Sequence, residues 1–180
     1  MNNAFYKYIE LLNNWNKRIN LVQADTLRDV KTRHIDDSLQ LAPYLPKNGT
    51  IFDIGSGAGL PGIILAIAGF DNIVLIEKDI KKSVFLKEVR RLLKLKCQIY
   101  TGDVYKMDTS MYKKPFFAVS RAFGSLEILI DIMQKLSIQE GIFHRGKTWK
   151  SELNNICNIR YEPIKSSLTS DSILLKVQLT

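Results

Sequence analysis

Apolar and polar positions recur at helical spacing through the first 48 residues of this chain. The apolar stripe of Phe5–Trp15 predicts a first helix, because its members lie three or four residues apart. Asp25 or Thr26 is suited to cap a second helix. A third helix is predicted over residues 33–42, where it ends before a proline.

Beyond a Pro-Lys-Asn-Gly turn, short apolar runs alternate with longer amphipathic stretches. Strands are predicted at 50–54, 73–77, 97–101, 116–120, from Gly141, 157–164 and 172–179, and helices at 60–68, 79–94, 126–136 and 149–156. This order predicts an α/β fold with a mostly parallel sheet, helices on both faces and an antiparallel pair at the C-terminus. We expect one domain over residues 1–180, with a helical extension (1–48) before the α/β core (49–180).

The most informative segment is I-F-D-I-G-S-G-A-G-L-P-G, which spans residues 51–62. Four glycines fall within eight residues, at positions 55, 57, 59 and 62, between a predicted strand and a predicted helix. A strand, a glycine turn and a helix in this order bring backbone amides close to a ligand. The segment therefore predicts a nucleotide-like cofactor, contacted by Gly55, Gly57 and Gly59. A tight turn whose glycines serve only packing is the alternative.

Two cofactors compete for this loop. The last three glycines have dinucleotide spacing, but that pattern alone is weak, and the glycine that directly follows the strand is Gly55. Asp53 places a carboxylate at the end of the strand, where it would repel a pyrophosphate and attract the ammonium group of S-adenosylmethionine (SAM). Glu77 closes the next strand, at the distance expected of a ribose-binding acid. These residues favour SAM.

The net charge of +8 suggests an anionic partner. Residues 78–96 hold eight basic side chains against two acidic ones, a net +6. The apolar spacing there predicts an amphipathic helix with a basic outer face, for which solvation is the ordinary explanation. A second basic cluster comprises Lys17, Arg18, Arg28, Lys31 and Arg33. Together they make a polyanion such as RNA more plausible without proving it.

The remaining composition argues against several other classes of protein. Cys97 and Cys157 lack metal-site spacing, so no metal is expected. The longest apolar stretch, residues 60–70, is too short to span a membrane and contains a proline. No secretory pattern is visible at Met1–Asn3. We expect a cytoplasmic protein with reduced thiols and no membrane association.

Four segments resemble the ribosomal RNA small subunit methyltransferase G family, formerly called glucose-inhibited division protein B. They are W-N-K-R-I-N-L (15–21), R-H-I-D-D-S-L (33–39), D-I-G-S-G-A-G-L-P-G (53–62) and S-R-A-F (120–123). The family methylates guanine N7 in 16S ribosomal RNA. The resemblance implies a class I SAM-dependent methyltransferase fold (Rossmann-like), SAM as cofactor, and the RNA of the small ribosomal subunit as partner. A monomer is expected.

The resemblance also implies site residues. Cofactor contacts carry over onto Gly55, Leu60, Asp103, Val104 and Arg121, beside the acids Asp53 and Glu77. Many relatives have glutamate where Val104 stands, so only a backbone contact is implied there. No catalytic side chain is expected beyond positioning, for which Arg121 is the candidate, because guanine N7 has a free lone pair. Arg121 could contact the SAM carboxylate, or the base O6 and a phosphate.

Candidate RNA-binding residues are Arg33, His34, Arg121, Phe123, Arg145 and Lys147. His34 and Asp37 are helix neighbours, and form either an acid–base pair or a structural contact. Phe123 either stacks on the target base or packs in the core. Competing functions are a small-molecule methyltransferase, a dinucleotide-binding reductase, and an RNA-binding relative whose activity is weakened or lost.

Overall fold

A seven-stranded sheet organises the fold in the computed structural model, which describes residues 3–154 and 156–180. The strands are β1 (Thr50–Ile54), β2 (Ile73–Glu77), β3 (Gln98–Thr101), β4 (Phe116–Arg121), β5 (Glu140–Gly146), β6 (Ile159–Lys165) and β7 (Ser172–Leu179). Their order is β3-β2-β1-β4-β5-β7-β6. The first five strands pair in parallel, while β7 runs antiparallel to both β5 and β6. The predicted sheet with its antiparallel C-terminal pair is confirmed.

Helices connect the strands and cover the sheet. They are α1 (Asn3–Asn16), α2 (Asp37–Leu39), α3 (Gly62–Ile67), α4 (Ile80–Leu93), α5 (Leu126–Lys135) and α6 (Trp149–Glu152). Short 3₁₀ segments lie at Ala24–Asp29, Ala42–Tyr44 and Val104–Lys106. The predicted helices that correspond to α1, α3, α4 and α5 are confirmed. The last predicted helix, 149–156, ends at Glu152, and Asn155 lies outside the described residues.

The N-terminal extension departs from its predicted helices. Instead of a helix capped by Asp25 or Thr26, a 3₁₀ segment begins without a side-chain cap. The Thr26 hydroxyl is used elsewhere, since it donates to the carbonyl of Gln23 at 2.6 Å and contacts His34. The predicted helix over 33–42 is replaced by a π-helical turn, Lys31–Asp36, followed by α2. Contacts with the sheet, described below, override local helix propensity here.

Alternate residues of each strand face two different hydrophobic clusters, as the period of a strand requires. On one face, Ile51 and Val119 pack with the N-terminal extension, α3 and α4. On the other face, Phe52 and Ala118 pack with α5. The prediction of helices on both faces is confirmed. Asp53 and Arg121 share the parity of the first face, and so point toward the N-terminal extension.

The extension packs into the same cluster as the sheet. Tyr8 and Leu12 of α1 are fully buried there. The Tyr8 hydroxyl donates to the carbonyl of Ala58 in the glycine loop at 2.9 Å, and the Trp15 ring lies 5.7 Å from that of Phe85 on α4. A single folding unit over the whole chain stays a prediction. No helix among the described residues is long and apolar enough to span a membrane.

Candidate functional site

A cleft of about 1330 Å³ lies beyond the carboxyl ends of β1, β2, β3 and β4. One wall holds the glycine loop and the strand ends, and the other is formed by residues of the N-terminal extension. Ten of the residues singled out from the sequence line it: Arg33, His34, Gly55, Gly57, Leu60, Glu77, Asp103, Val104, Arg121 and Phe123. Asp53, Gly59, Arg145 and Lys147 do not line it. Which of these residues contact a ligand stays a prediction.

The glycine loop presents backbone atoms to the cleft. Gly55 has φ +71°, and a Cβ at this position would lie 2.1 Å from Cδ2 of Phe123. Gly57 has φ +54°, and a Cβ there would find no atom nearer than 3.9 Å. Both positions need glycine for the positive φ, and Gly55 also needs it for space. A side chain at residue 55 would therefore collide with the Phe123 ring, and the backbone there has a φ that residues other than glycine avoid.

Glu77 ties the end of β2 to this loop. Its carboxylate accepts hydrogen bonds from the amides of Gly57 and Asp79, each at 2.8 Å. The side chain is buried at the floor of the cleft. Because each carboxylate oxygen can accept more than one hydrogen bond, Glu77 can hold the loop and also accept a ligand hydroxyl.

Asp53 lies beneath the loop. The pleat of β1 directs the side chain toward α3, where Oδ2 accepts a hydrogen bond from the Gly62 amide at 3.0 Å. Oδ1 has no partner among the described residues. Burial raises the pKa of Asp53 to about 7, against the opposing effect of the Gly62 hydrogen bond. A Cβ on Gly62 would come within 2.6 Å of Oδ2, so the Asp53 carboxylate leaves no room for a side chain at residue 62.

Residues at the end of β3 also line the cleft. Asp103 caps the following 3₁₀ turn by accepting from the Tyr105 amide at 3.1 Å. Its carbonyl accepts from the Tyr100 hydroxyl at 3.2 Å. Val104 is buried and adds apolar surface to the cleft. A hydrophobic ring system fits this region better than a charged group does.

Arg121, at the end of β4, is held by the N-terminal extension. Its Nη2 donates to the carbonyl of Arg33 at 2.7 Å and to Nδ1 of His34 at 3.0 Å. Its Nε lies 3.2 Å from Oδ2 of Asp37. Its Nη1 is buried with no partner among the described residues. The Arg121 side chain is held by the Arg33 carbonyl, His34 and Asp37. We call these three groups the arginine socket.

The hydrogen bonds define the protonation of His34. Arginine can only donate, so Nδ1 of His34 accepts, and Nε2 carries the proton that is donated to Oγ1 of Thr26 at 2.9 Å. Burial, followed by the charge of Arg121, lowers the pKa of His34 to about 4. The imidazole is thus neutral at pH 7 with both nitrogens occupied. This supports the structural alternative for His34 and Asp37 over an acid–base pair.

His144 supports the socket from the neighbouring strand. The register pairs Arg121 of β4 with His144 of β5, and both side chains have the parity of the same face. Nε2 of His144 lies 2.9 Å from the carbonyl and 3.5 Å from Oδ2 of Asp37. Burial lowers the pKa of His144. Nothing in the local sequence around His144 signals this role.

Three further candidates have structural positions of their own. Phe123 packs over Gly55 and is partly buried at the cleft. Arg145 donates to the carbonyl of Gly124 at 3.2 Å and pairs with Glu152, so its guanidinium closes the loop before α5. Lys147 forms an exposed ion pair with Asp171 at 3.0 Å.

Sequence reasoning missed the residues that build the wall opposite the glycine loop. The Asn16 side chain accepts from the amides of Leu21 and Val22 at 2.8 and 3.0 Å, and donates to the Val22 carbonyl at 3.1 Å. These bonds fold residues 16–22 along the cleft. The W-N-K-R-I-N-L segment was the available signal. Among the described residues, no group of three or more potential metal ligands occurs, and the absence of a metal stays a prediction.

Comparisons of the sequence with known proteins agree on one family. A family model described as rRNA small subunit methyltransferase G matches residues 1–171. The chain is 32% identical to the ribosomal RNA small subunit methyltransferase G of Orientia tsutsugamushi (strain Ikeda), over 98% of this chain and 90% of that protein. It is 36% identical to the protein of that name from Rickettsia rickettsii (strain Sheila Smith), over 80% of this chain and 74% of that protein.

Solved structures share the fold at low sequence identity. A 16S rRNA methyltransferase, RmtF, in complex with S-adenosyl-L-homocysteine has a TM-score of 0.63 and 14% identity, over 98% of this chain and 76% of that one. The 23S rRNA methyltransferase ErmE has a TM-score of 0.61 and 13% identity, over 83% of this chain and 69% of that one. The predicted class I methyltransferase fold is confirmed.

Proposed function

Because this chain belongs to the rRNA small subunit methyltransferase G family, we propose that it methylates N7 of a guanine in 16S ribosomal RNA, with SAM as methyl donor. The observation that carries the proposal is the family match along residues 1–171. The cleft at the carboxyl edge of the sheet supplies a matching site, since ligands of such sheets bind there.

The residues of the cleft suit SAM. SAM supplies a methyl group already activated by a sulfonium. Glu77 would accept from the ribose hydroxyls, the backbone of Gly55 and Gly57 would hold the methionine portion, and Leu60, Val104 and Asp103 would hold the adenine. Asp53 acts from below by holding Gly62 and thereby the shape of the loop. The cleft exceeds the roughly 300–1000 Å³ of an ordinary ligand site, which leaves room for an entering base.

The reaction requires alignment more than acid–base chemistry. Guanine N7 attacks with its own lone pair, so the protein must hold the nucleophile in line with the methyl group and need not remove a proton. His34 cannot serve as a general base, because Arg121 and Thr26 occupy its two ring nitrogens. The chemistry of the site therefore suits N7 better than an exocyclic amino group, which has a proton to lose.

Arg121 is the positioning cation of this proposal. The socket fixes its Nε and Nη2, while Arg121 as a residue lines the cleft and supplies a fixed positive charge there. Replacing Arg121 with alanine distinguishes its two candidate partners. A weaker affinity for SAM assigns it to the cofactor carboxylate, whereas a raised KM for RNA assigns it to the base or a phosphate. Arg33 and Phe123 line the cleft beside it and belong to the substrate side of the site.

The proposal includes a monomeric enzyme that acts in the cytoplasm. The N-terminal extension and the sheet of this chain supply both walls of the cleft. Sedimentation of the purified protein with and without SAM tests this part. A dimer whose dissociation abolishes SAM binding would contradict it.

The experiment that tests the function uses 16S RNA from cells that lack the enzyme. Purified protein and SAM with a labelled methyl group are added, and N7-methylguanosine is mapped by chemical cleavage of the RNA. We expect label at one guanine of 16S RNA and none in RNA from cells that have the enzyme. Label confined to small molecules, or binding of NAD without binding of SAM, would contradict the proposal.

A further inference from the structure

The outer face of α4 combines unpaired positive charge with exposed apolar side chains. Among the residues the structure describes, only two of the eight basic side chains between residues 78 and 96 form ion pairs, Arg91 with Glu88 and Lys96 with Asp71. The other six are Lys78, Lys81, Lys82, Lys87, Arg90 and Lys94. The face therefore carries a concentrated positive charge that an anionic partner could neutralise.

Two apolar side chains interrupt this basic face. Ile80 is 72% exposed and Val84 is 48% exposed, although Phe85, Leu86 and Val89 of the same helix are fully buried. Ile80, Val84 and Lys87 follow one another at spacings of four and three residues, so they form a single stripe on the helix surface. This stripe therefore offers apolar contacts next to charged ones to any molecule that covers the face.

The first turn of α4 lies at the mouth of the cleft. Lys78 and Lys82 line the cleft itself. The Trp15 ring packs against Phe85 of α4. The exposed residues Lys17 and Arg18 come shortly after Trp15 in the chain, just before a segment that lines the cleft. The basic face is therefore continuous with the site and is not an isolated patch on a remote surface.

We propose that the outer face of α4, comprising Ile80, Lys81, Val84 and Lys87, docks the ribosomal RNA strand that leads to the target guanine, together with Lys78 just before the helix. This inference rests on the proposed function and specifies how its substrate is held. The lysines bind phosphates, and Ile80 and Val84 cover sugars or unstacked bases. Charge complementarity selects RNA over a basic protein, because the described residues of this face form no acidic cluster that could attract basic side chains.

The test replaces Lys81 and Lys87 together with alanine, in the full chain. Neither residue lines the cleft, so SAM affinity stays at the wild-type value and reports correct folding. We expect the KM for 16S RNA to rise about tenfold with kcat unchanged, and the salt dependence of RNA binding to fall by about 1.5 in slope for two lost phosphate contacts. In a second variant, Ile80→Ser weakens RNA binding about threefold and leaves the slope unchanged.

A matched control removes two exposed lysines elsewhere. Lys135 ends α5, and Lys165 lies on β6 at the opposite edge of the sheet. Replacing both with alanine changes the net charge equally and leaves KM at the wild-type value. If the α4 double variant has the same KM as this control while the wild type methylates 16S RNA, the docking proposal is overturned and the proposed function stands.

Two other outcomes overturn the proposal in distinguishable ways. A wild-type protein that binds SAM but transfers no methyl group to 16S RNA contradicts the proposed function, and the docking surface with it. If the KM of the α4 double variant rises for the assembled small subunit but not for protein-free 16S RNA, the face binds a ribosomal protein instead of RNA.

Discussion

The two walls of the cleft differ in the atoms that form them and in the sequence distance that they bridge. The glycine-loop wall is made of main-chain atoms and is held by bonds between residues 9 and 20 positions apart, from Gly62 to Asp53 and from Gly57 to Glu77. The socket wall is made of side chains. Its contacts join Arg121 to residues 87 and 88 positions earlier.

This difference determines what each wall tolerates. Main-chain atoms keep their hydrogen-bonding character whatever the side chain is, so the glycine loop is sensitive to volume and backbone conformation. The socket depends on which nitrogen of His34 carries a proton and on a guanidinium of fixed geometry. We therefore expect larger side chains to disrupt the glycine-loop wall, and changes of donor, acceptor or charge to disrupt the socket wall.

The largest effect is expected for Gly55→Val. The new Cβ would lie 2.1 Å from the Phe123 ring, at a φ of +71° that valine avoids. Strain of this kind costs about 1–3 kcal/mol before the clash is counted, so the Kd for SAM should rise by at least about 100-fold in calorimetry. The matched control is Gly146→Val, where a Cβ meets nothing within 4 Å. Equal SAM affinity in both variants would contradict the role of the loop.

The next effect concerns the socket. Arg121→Ala removes a charge-assisted donor worth about 1.5–3 kcal/mol, so kcat/KM should fall between about 10- and 100-fold.

His34→Ala should have a smaller effect, because His34 acts only through Arg121. His34→Asn should restore much of the loss, since an amide oxygen can accept the bond that Nδ1 accepts. Steady-state methylation of 16S RNA measures all three, and equal activity of His34→Ala and His34→Asn would exclude the acceptor role.

The pH dependence of stability should have opposite signs in the two walls. Asp53 has a pKa of about 7, above its unfolded value of 3.8, so its contribution to the free energy of unfolding is present below pH 4 and is lost as the pH rises to about 7. His34 has a pKa of about 4, below its unfolded value of 6.5, so its contribution is present above pH 6.5 and is lost as the pH falls toward 4.

Urea unfolding between pH 4 and pH 8 tests both signs. Relative to the wild type, Asp53→Asn should gain on the order of 4 kcal/mol between pH 4 and pH 7. His34→Asn should lose a comparable amount between pH 4 and pH 6.5. Parallel curves for the wild type and both variants would show that neither group titrates differently on folding.

The smallest effect is expected outside both walls. Lys147 is 71% exposed in its pair with Asp171, so Lys147→Ala should change the free energy of unfolding by less than about 0.5 kcal/mol. It lies away from the cleft and from α4, so the KM for RNA should stay at the wild-type value. A clear rise in that KM would return Lys147 to the RNA-binding residues.

The strand ends and the glycine loop could be predicted because their signals are local. A strand, its glycines and the acid at the end of the next strand lie within residues 50–77, and the parallel sheet brings them to one edge. The helix that Asp25 or Thr26 was expected to cap was predicted incorrectly. The helix predicted over residues 33–42 lies instead at residues 31–39 and begins as a π-helical turn, since local propensity does not include the contacts of His34 and Asp37 with Arg121.

The sequence by itself determined the order of strands and helices, the glycine loop and the family, because these depend on periodicity and on short motifs. Only the tertiary structure decided that Asp53 lies beneath the loop, that His34 and Asp37 hold Arg121, and that Lys78 and Lys82 border the cleft. Those facts depend on which face of a strand a residue occupies and on contacts across the sheet. A linear pattern does not encode such contacts, because they form only when distant segments pack together.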